Sequence, residues 1–457
     1  MRTFGVAGVV VLVAGMLAGC HKPQEIEEPW PRVGKNYEAQ LPPGALALRK
    51  ITDPREIPDF AQACADTAGL REAVANSLAY LAKPSSRERF PYGAVTHEQA
   101  AAGLRAFAAL LDSGKTPQEM DAVLREQFDV YISVGCDYQG TVLFTAYYTP
   151  IFDASPVATE RFRWPLYKPP ADLVKGPDGT PLAPMPDRRT IETQNLYAGN
   201  ELVWLADPFE AYVAQIQGSV RLRMPDGSEM TAGYTANNGH PYASVRAELV
   251  KDRKIGPRDG LPAMLAYFKA HPGEVAQYTW RNPRYIFFAV IDDGRPRGCL
   301  NEPVTPYRTI ATDKRIYPPG CLAFLSTAMP QHRGGAIEDA PLSLFALDQD
   351  AGGAIRAAGR CDLYVGIGPE AGDLAGRAQN EGRLYYLFLK PPNLPKEPLE
   401  PTAAPPAAVA PPAEPGAAGA PAARGGPFAI GPMYSVATTT SSNPTRFILF
   451  FVQRSVT

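Results

Sequence analysis

Three aspartates near the C-terminal end of the chain stand where acid–base work could be done: Asp313 in Ala-Thr-Asp-Lys-Arg-Ile-Tyr-Pro-Pro-Gly, Asp350 in Gln-Asp-Ala-Gly-Gly-Ala-Ile, and Asp362 in Cys-Asp-Leu-Tyr-Val-Gly-Ile-Gly. Each lies at the edge of an apolar, strand-like run with glycines close by. A carboxyl group at a strand end, bordered by residues without side chains, can be approached closely by another chain and can give or take a proton there. Aspartate also closes turns, so Asp313 and Asp350 each carry a second reading as turn caps. His240 reads as a hydrogen-bonded structural histidine, and no serine or cysteine sits in a nucleophile-elbow pattern that would support a triad.

Positioning these carboxylates falls to a chain that changes character along its length. After an extended approach over 29–43, residues 60–81 place Phe60, Cys64, Leu70, Val74, Leu78 and Leu81 at mostly helical spacing. Two further amphipathic helices are expected, one over 97–111 capped by Thr96, the other over 117–128 with Thr116 and Glu119 forming a capping box. From residue 141 the signals turn to strands: 141–148, 201–205, 212–218 and a hairpin over 220–232 turning at Asp226-Gly227. Helices are expected over 243–253 and 260–270, then strands over 284–290, 321–325, 342–347, 363–367 and 384–389. Many short strands interspersed with Gly and Pro argue for barrels and against a doubly wound sheet.

The ends of the chain carry different information. Met1-Arg2-Thr3-Phe4, an apolar run over 5–17 and Leu17-Ala18-Gly19-Cys20 form a charged n-region, an h-region and a small-residue cleavage site. A site ending in cysteine resembles a bacterial lipoprotein box, with Cys20 the lipidated residue, and fewer than twenty apolar residues precede it, which is marginal for a membrane span. His21 in place of aspartate after that cysteine implies sorting to the outer membrane, so the expected location is the periplasmic face of that membrane, held by a lipid anchor. Residues 396–457 are rich in Pro, Ala and Gly and are expected to form a disordered tail, since such a composition buries too little apolar surface to offset chain entropy. The apolar run at 446–454 is too short to span a membrane.

With 45 Lys and Arg against 47 Asp and Glu, the chain is nearly neutral and has no basic stripe, which argues against nucleic acid as a partner. Signal and tail removed, roughly 350 residues remain, more than a single core usually holds. In an oxidising compartment Cys64, Cys136, Cys299, Cys321 and Cys361 could form two disulfides; Cys64–Cys136 is the preferred pair and the others stay open. Their spacing matches no zinc motif, so neither metal nor cofactor is expected.

Over residues 40–395 the chain resembles the membrane-bound lytic murein transglycosylase A family. The resemblance rests on Ala146-Tyr147-Tyr148-Thr149-Pro150, Gln215-Ile216-Gln217-Gly218-Ser219, Gly233-Tyr234, Asn238-Gly239-His240-Pro241-Tyr242, Asn282-Pro283-Arg284-Tyr285, the three aspartates, and Gly366-Ile367-Gly368-Pro369-Glu370-Ala371. It implies a mainly β fold with helices (α+β): a double-psi β-barrel domain with N-terminal helices, built from 41–155 and 285–395 and interrupted by a second, smaller β-domain over 156–284. The substrate, peptidoglycan glycan strands, would lie in the groove between the two. Residues 21–40 would be a linker. The chain departs from the family pattern in one place: Asp350 and Asp362 are twelve steps apart where eleven is usual, an extra residue that would enlarge the turn at Ala357-Ala358-Gly359. A slip within a strand reverses the face of its side chains, so the direction of Asp362 is what that residue puts at stake.

The activity implied is cleavage between N-acetylmuramic acid and N-acetylglucosamine with formation of a 1,6-anhydro ring, Asp362 being the acid/base and Asp350 and Asp313 its close supports. Tyr148, Thr149, Gln217, Gly218 and Ser219 are candidate glycan contacts, and Glu370 is a candidate for orienting the site. Since Tyr147 and Tyr148 point to opposite faces of a strand, at least one of them belongs to the core. Cell-wall synthesis or division proteins are candidate partners. Two other functions fit the same residues: a hydrolase in which Asp350 or Glu370 activates water, and a glycan-binding barrel without activity.

Overall fold

The computed structural model describes residues 35–394, apart from 177–179, 184 and 258. Cys20 and its signal segment, the 396–457 tail and the apolar run at 446–454 lie outside the described residues. In chain order the first nine strands are β1 (Leu48–Lys50), β2 (Phe128–Ser133), β3 (Val142–Thr149), β4 (Ile151–Ser155), β5 (Trp164–Tyr167), β6 (Glu201–Leu205), β7 (Ser219–Arg223), β8 (Glu229–Asn237) and β9 (Ile286–Val290). The later ones are β10 (Thr309–Ala311), β11 (Leu322–Arg333), β12 (Ala336–Asp350), β13 (Arg360–Ile367) and β14 (Gln379–Leu389).

Six strands close on themselves in the order β14-β11-β12-β10-β13-β3 and back to β14, while β1 and β2 extend the sheet beyond β14. Two of the barrel pairings, β10–β12 and β13–β3, are parallel. This is a double-psi β-barrel. Closure removes the free edges that the strands would otherwise expose. Helices His97–Leu111 and Pro117–Gln127 start where Thr96 and Thr116 accept backbone N–H bonds, the second with a reciprocal capping box through Glu119. Residues 60–81 form two helices, Ala61–Ala65 and Leu70–Leu81, because Gly69 with φ of 73° turns the chain between them. Phe60, fully buried, packs its ring 4.9 Å from Phe324 of β11, and Phe107 lies 5.0 Å from Phe345 of β12, so the helices and barrel share one apolar core.

The second sheet, ordered β5-β6-β4-β7-β8-β9, is continuous in sequence between β3 and β10. Its hairpin β7–β8 turns at Asp226-Gly227, Gly227 adopting φ of 84°. Arg188, 2% exposed, organises this unit: its guanidinium donates to Gln215 Oε1 at 2.7 Å and to the backbone carbonyls of Asn282 and Arg284, between the rings of Tyr212 and Tyr285. Gln215, Asn282 and Tyr285, three of the motif residues, thus serve the architecture.

Two expectations are corrected. Residues 212–218 are not a strand: Pro208–Gln217 is a helix, capped by Asp207, with Pro208 in its first turn and Gly218 in the left-handed region at its end. A short apolar run does not distinguish strand from helix, and here the Asp-Pro start and Gly stop decide it. The five cysteines of the described residues are unbridged, Cys64–Cys136 included. Cys64 is buried in the helical core, whereas Cys136 packs where any side chain on Gly359 would collide with it.

Candidate functional site

The short strand β10 brings two of the aspartates together. Its Ala311 is the register partner of Asp350 at the end of β12 on one side and of Asp362 near the start of β13 on the other. The two backbones are therefore two strand spacings apart, about 10 Å. On its far side, Asp362 lies opposite Thr145 of β3. The enlarged turn before it is anchored: the carbonyl of Ala358 accepts from the hydroxyls of Ser133 at 3.1 Å and Tyr317 at 2.8 Å, and Ala357 and Ala358 are fully buried.

The two carboxylates differ in their partners. Asp350 is fully engaged, Oδ2 accepting from the Tyr147 hydroxyl at 2.7 Å and Oδ1 from the backbone N–H groups of Cys299 and Ala351, both at 2.8 Å. Burial pushes its pKa up, while those donors and the ammonium of Lys314 oppose the rise. For Asp362, Oδ1 is buried with no hydrogen-bond partner among the described residues. Burial pushes this carboxyl up to about 6, the charge of Asp350 adding to the rise and the Arg360 guanidinium and Thr145 hydroxyl opposing it. A buried acceptor left without a donor is costly for a carboxylate and is relieved by a proton. Asp362 is thus suited to holding a proton near neutrality, and Asp350 to remaining an acceptor.

The strand β3 alternates as a pleat requires. Tyr147 faces Asp350, whereas Tyr148 is 5% exposed with its ring against Gly372, so it packs between barrel and helix Pro369–Ala375, and Tyr147 stands at the carboxylates in its place. Thr149 is fully buried; its hydroxyl is 3.0 Å from Ser219 Oγ and 3.0 Å from the Tyr364 hydroxyl. The Tyr364 ring lies 5.1 Å from that of Tyr147. The Gln217 side chain accepts from the Tyr148 N–H at 3.2 Å, and Gly218 supplies the left-handed turn from helix into β7. Tyr148, Thr149, Gln217, Gly218 and Ser219 are therefore brought together, at the seam of the two sheets, and Tyr364 and Tyr147 connect that seam to Asp350.

Asp313, 1% exposed, lies in the turn after β10. Its carboxylate accepts from the Arg315 backbone at 3.1 Å and guanidinium at 2.6 Å, and its carbonyl from the N–H groups of Ile316 and Tyr317, the geometry of a turn cap. Glu370 is exposed in the first turn of its helix, whose start is tied to β3 by Gly368 N–H donating to Thr149 O at 2.9 Å. His240 Nε2 lies 2.8 Å from Met185 O, a structural contact. Four groups at the site were not singled out from sequence: Arg360, Tyr364, Asp348 and Lys314. The first three stand two positions from Asp362 or Asp350 along their strands, so the period of two was the signal that could have found them. Lys314 follows Asp313 in its turn and meets Asp348. Among the described residues no group of three or more His, Cys, Asp or Glu side chains is arranged to hold a metal ion.

Comparison with known proteins gives concordant matches. Residues 143–289 match the family profile described as the MltA specific insert domain, and residues 308–388 match the 3D domain. The chain is 28% identical over 266 residues to membrane-bound lytic murein transglycosylase A of Escherichia coli K12, covering 58% of this chain and 70% of that protein. It is 28% identical over 279 residues to the Vibrio cholerae protein of the same name, covering 60% and 71%. Among solved structures it resembles a membrane-bound lytic murein transglycosylase from Agrobacterium tumefaciens, with TM-score 0.62 and 26% identity over 75% of this chain and 98% of that one. It shares the fold of E. coli MltA crystallised with chitohexaose, with TM-score 0.59 and 23% identity over 78% and 98%.

Proposed function

The chain belongs to the membrane-bound lytic murein transglycosylase A family, and from that premise we propose that it cleaves the β-1,4 bond between N-acetylmuramic acid and N-acetylglucosamine in peptidoglycan, with Asp362 as its one acid/base and a 1,6-anhydro sugar as product. The observation that carries this reading is the asymmetry of the two carboxylates: Asp350 has both oxygens committed to donors, and of the two Asp362 keeps a buried oxygen without one among the described residues.

Protonated Asp362 gives its proton to the glycosidic oxygen as the bond from the anomeric carbon to that oxygen breaks. The resulting carboxylate then takes the proton of the C6 hydroxyl of the same muramic acid residue while that oxygen bonds to the anomeric carbon. Atoms balance without water, and one carboxyl group serves both halves. Because the attacking alcohol belongs to the bound sugar, the ring closure has the entropic advantage of a reactant already in place. Asp350, held by Tyr147, supplies the neighbouring negative charge that favours the protonated form of Asp362 and stabilises positive charge developing on the sugar.

Asp313 supports the site at one remove, through its turn. Thr149, Gln217, Gly218, Ser219 and Tyr148 shape the seam along which glycan would run, with Glu370 at its rim. The enzyme would be held at the periplasmic face of the outer membrane by lipid on Cys20; no helix of the described residues is long and apolar enough to cross a membrane. A hydrolase would need a second carboxylate free to activate water, and neither the engaged Asp350 nor the exposed Glu370 favours that. Mass analysis of muropeptides released from purified sacculi tests the proposal, since the anhydro product lacks one water relative to a reducing sugar.

A further inference from the structure

The segment that precedes β1 crosses the turn leading to Asp362. Residues 35–40 start at Glu381 of β14, whose carboxylate accepts from Lys35 Nζ at 2.9 Å and from the Tyr37 hydroxyl at 2.5 Å, and they end at Arg315 in the turn after β10. In between they contact residues 356–360. The Tyr37 carbonyl packs so closely on Gly359 that a Cβ there would lie 2.7 Å from it. Glu38 pairs with the Arg360 guanidinium at 3.3 Å, and that guanidinium lies 3.4 Å from Oγ1 of Thr145, the residue opposite Asp362 on β3. Gln40 donates from Nε2 to the carbonyl of Arg356 at 2.5 Å and accepts at Oε1 from Arg315 Nη2 at 3.1 Å. The same nitrogen of Arg315 donates to Asp313 at 2.6 Å. A continuous run of hydrogen bonds thus leads from the buried carboxylate of Asp313, through Arg315 and Gln40, to the exposed side of the turn before Asp362. Ser133 and Tyr317 hold the buried side of that turn through the carbonyl of Ala358.

We propose that residues 35–40 are a clasp that fixes the turn at 356–360, with Gln40 the positioning residue through which Asp313 acts on Asp362. This rests on the functional reading above, in which Asp362 is the acid/base. The turn is the one that carries the additional residue, and a longer turn has more conformations to lose. A strand that starts one residue out of place presents its side chains to the opposite face, so the turn decides where Asp362 points. A turn cap accounts for the bonds of Asp313 to the backbone that follows it, but not for an Arg315 nitrogen shared between Asp313 and Gln40. Hydrogen bonds between exposed residues such as Gln40 and Arg315 add little to stability, whereas misplacing a reacting group by about 1 Å can cost about a hundredfold in rate. The clasp should therefore register in kcat and not in the unfolding temperature.

The test is a double-mutant cycle on muropeptide release from sacculi by the full chain, using Gln40→Leu, Arg315→Lys and the two together. Lysine keeps a positive charge beside Asp313 but lacks the planar fork that holds Asp313 and Gln40 at once. Gln40→Leu should lower kcat about tenfold, with KM within about twofold of wild type and the unfolding temperature unchanged. Arg315→Lys should lower kcat by a smaller factor, and the double variant should be no slower than Gln40→Leu alone. Gln40→Glu keeps the acceptor for Arg315 and removes the donor to Arg356, and it carries the same expectation should Gln40→Leu fail to fold. Wild-type kcat in the Gln40 variants, losses that multiply in the double variant, or a loss matched by a fall in unfolding temperature would each overturn the clasp, whatever products the enzyme makes. Coupled losses beside products bearing only reducing ends would overturn the anhydro reading and leave the clasp in place.

Discussion

At the scale of single residues, protonation of Asp362 is the variable on which the rest turns. With its pKa near 6, the acid form that starts the reaction is present below that pH and is lost as pH rises through it, so activity should fall on the alkaline side with a midpoint close to 6. The same shift bears on stability. A carboxyl whose folded value is raised above its unfolded value of about 3.9 stabilises the fold at low pH, and that contribution disappears as pH rises to the folded value. Asp362→Asn should therefore abolish release of muropeptides yet unfold at neutral pH with a stability equal to wild type or higher by about 1 kcal/mol, measured by urea denaturation. A destabilised Asp362→Asn would indicate a carboxylate that the fold needs charged. Tyr147→Phe removes the hydroxyl bonded to Asp350 and keeps the ring against Tyr364. Losing that donor raises the Asp350 pKa, so the acidic limb should shift upward and kcat should drop by roughly tenfold, about 1.4 kcal/mol of transition-state stabilisation. An unchanged pH profile would remove Tyr147 from the site.

At the scale of elements, what could be read from sequence was what local chemistry decides. The helix His97–Leu111 begins and ends where Thr96 and the apolar period place it, and the capping box of Thr116 and Glu119 forms as expected. The hairpin at Asp226-Gly227 likewise follows from its turn residues. Long-range pairing was not legible. Strand β2 (Phe128–Ser133) was missed because it follows a helix without a break, and the arms of β11 and β12, twelve pairs turning at Gly334-Gly335, extend well past their apolar cores because partner strands satisfy polar residues there. For the candidate site, sequence identified the aspartates but not their relation, which depends on β10 lying between β12 and β13. Gly359 shows how finely the turn before Asp362 is fitted: a Cβ there would collide with Cys136 and the carbonyl of Tyr37. Gly359→Ala should cost about 1–3 kcal/mol in thermal unfolding and lower kcat by disturbing the start of β13; wild-type values of both would show that the turn yields freely.

At the scale of the whole molecule, the second-sheet unit and the barrel meet at glycines, one of which leaves no room for a side chain. A Cβ on Gly260 would overlap the carbonyl of Gly376, and Gly353, in the loop after Asp350, faces Tyr242 and Arg284. Gly260→Ala should wedge helix Leu261–Ala270 away from the barrel and raise KM more than it lowers kcat, as loss of a binding surface does when the acid/base is untouched. A fall in kcat at constant KM would place the seam in the chemistry instead. The most direct measurement of the central claim, that one carboxyl group serves a reaction in which the sugar supplies its own nucleophile, is mass spectrometry of muropeptides from purified sacculi digested in ¹⁸O-labelled water. The expected result is anhydro-terminated fragments lighter than reducing ends by one water and free of label, with none from Asp362→Asn. Reducing ends carrying ¹⁸O would contradict it.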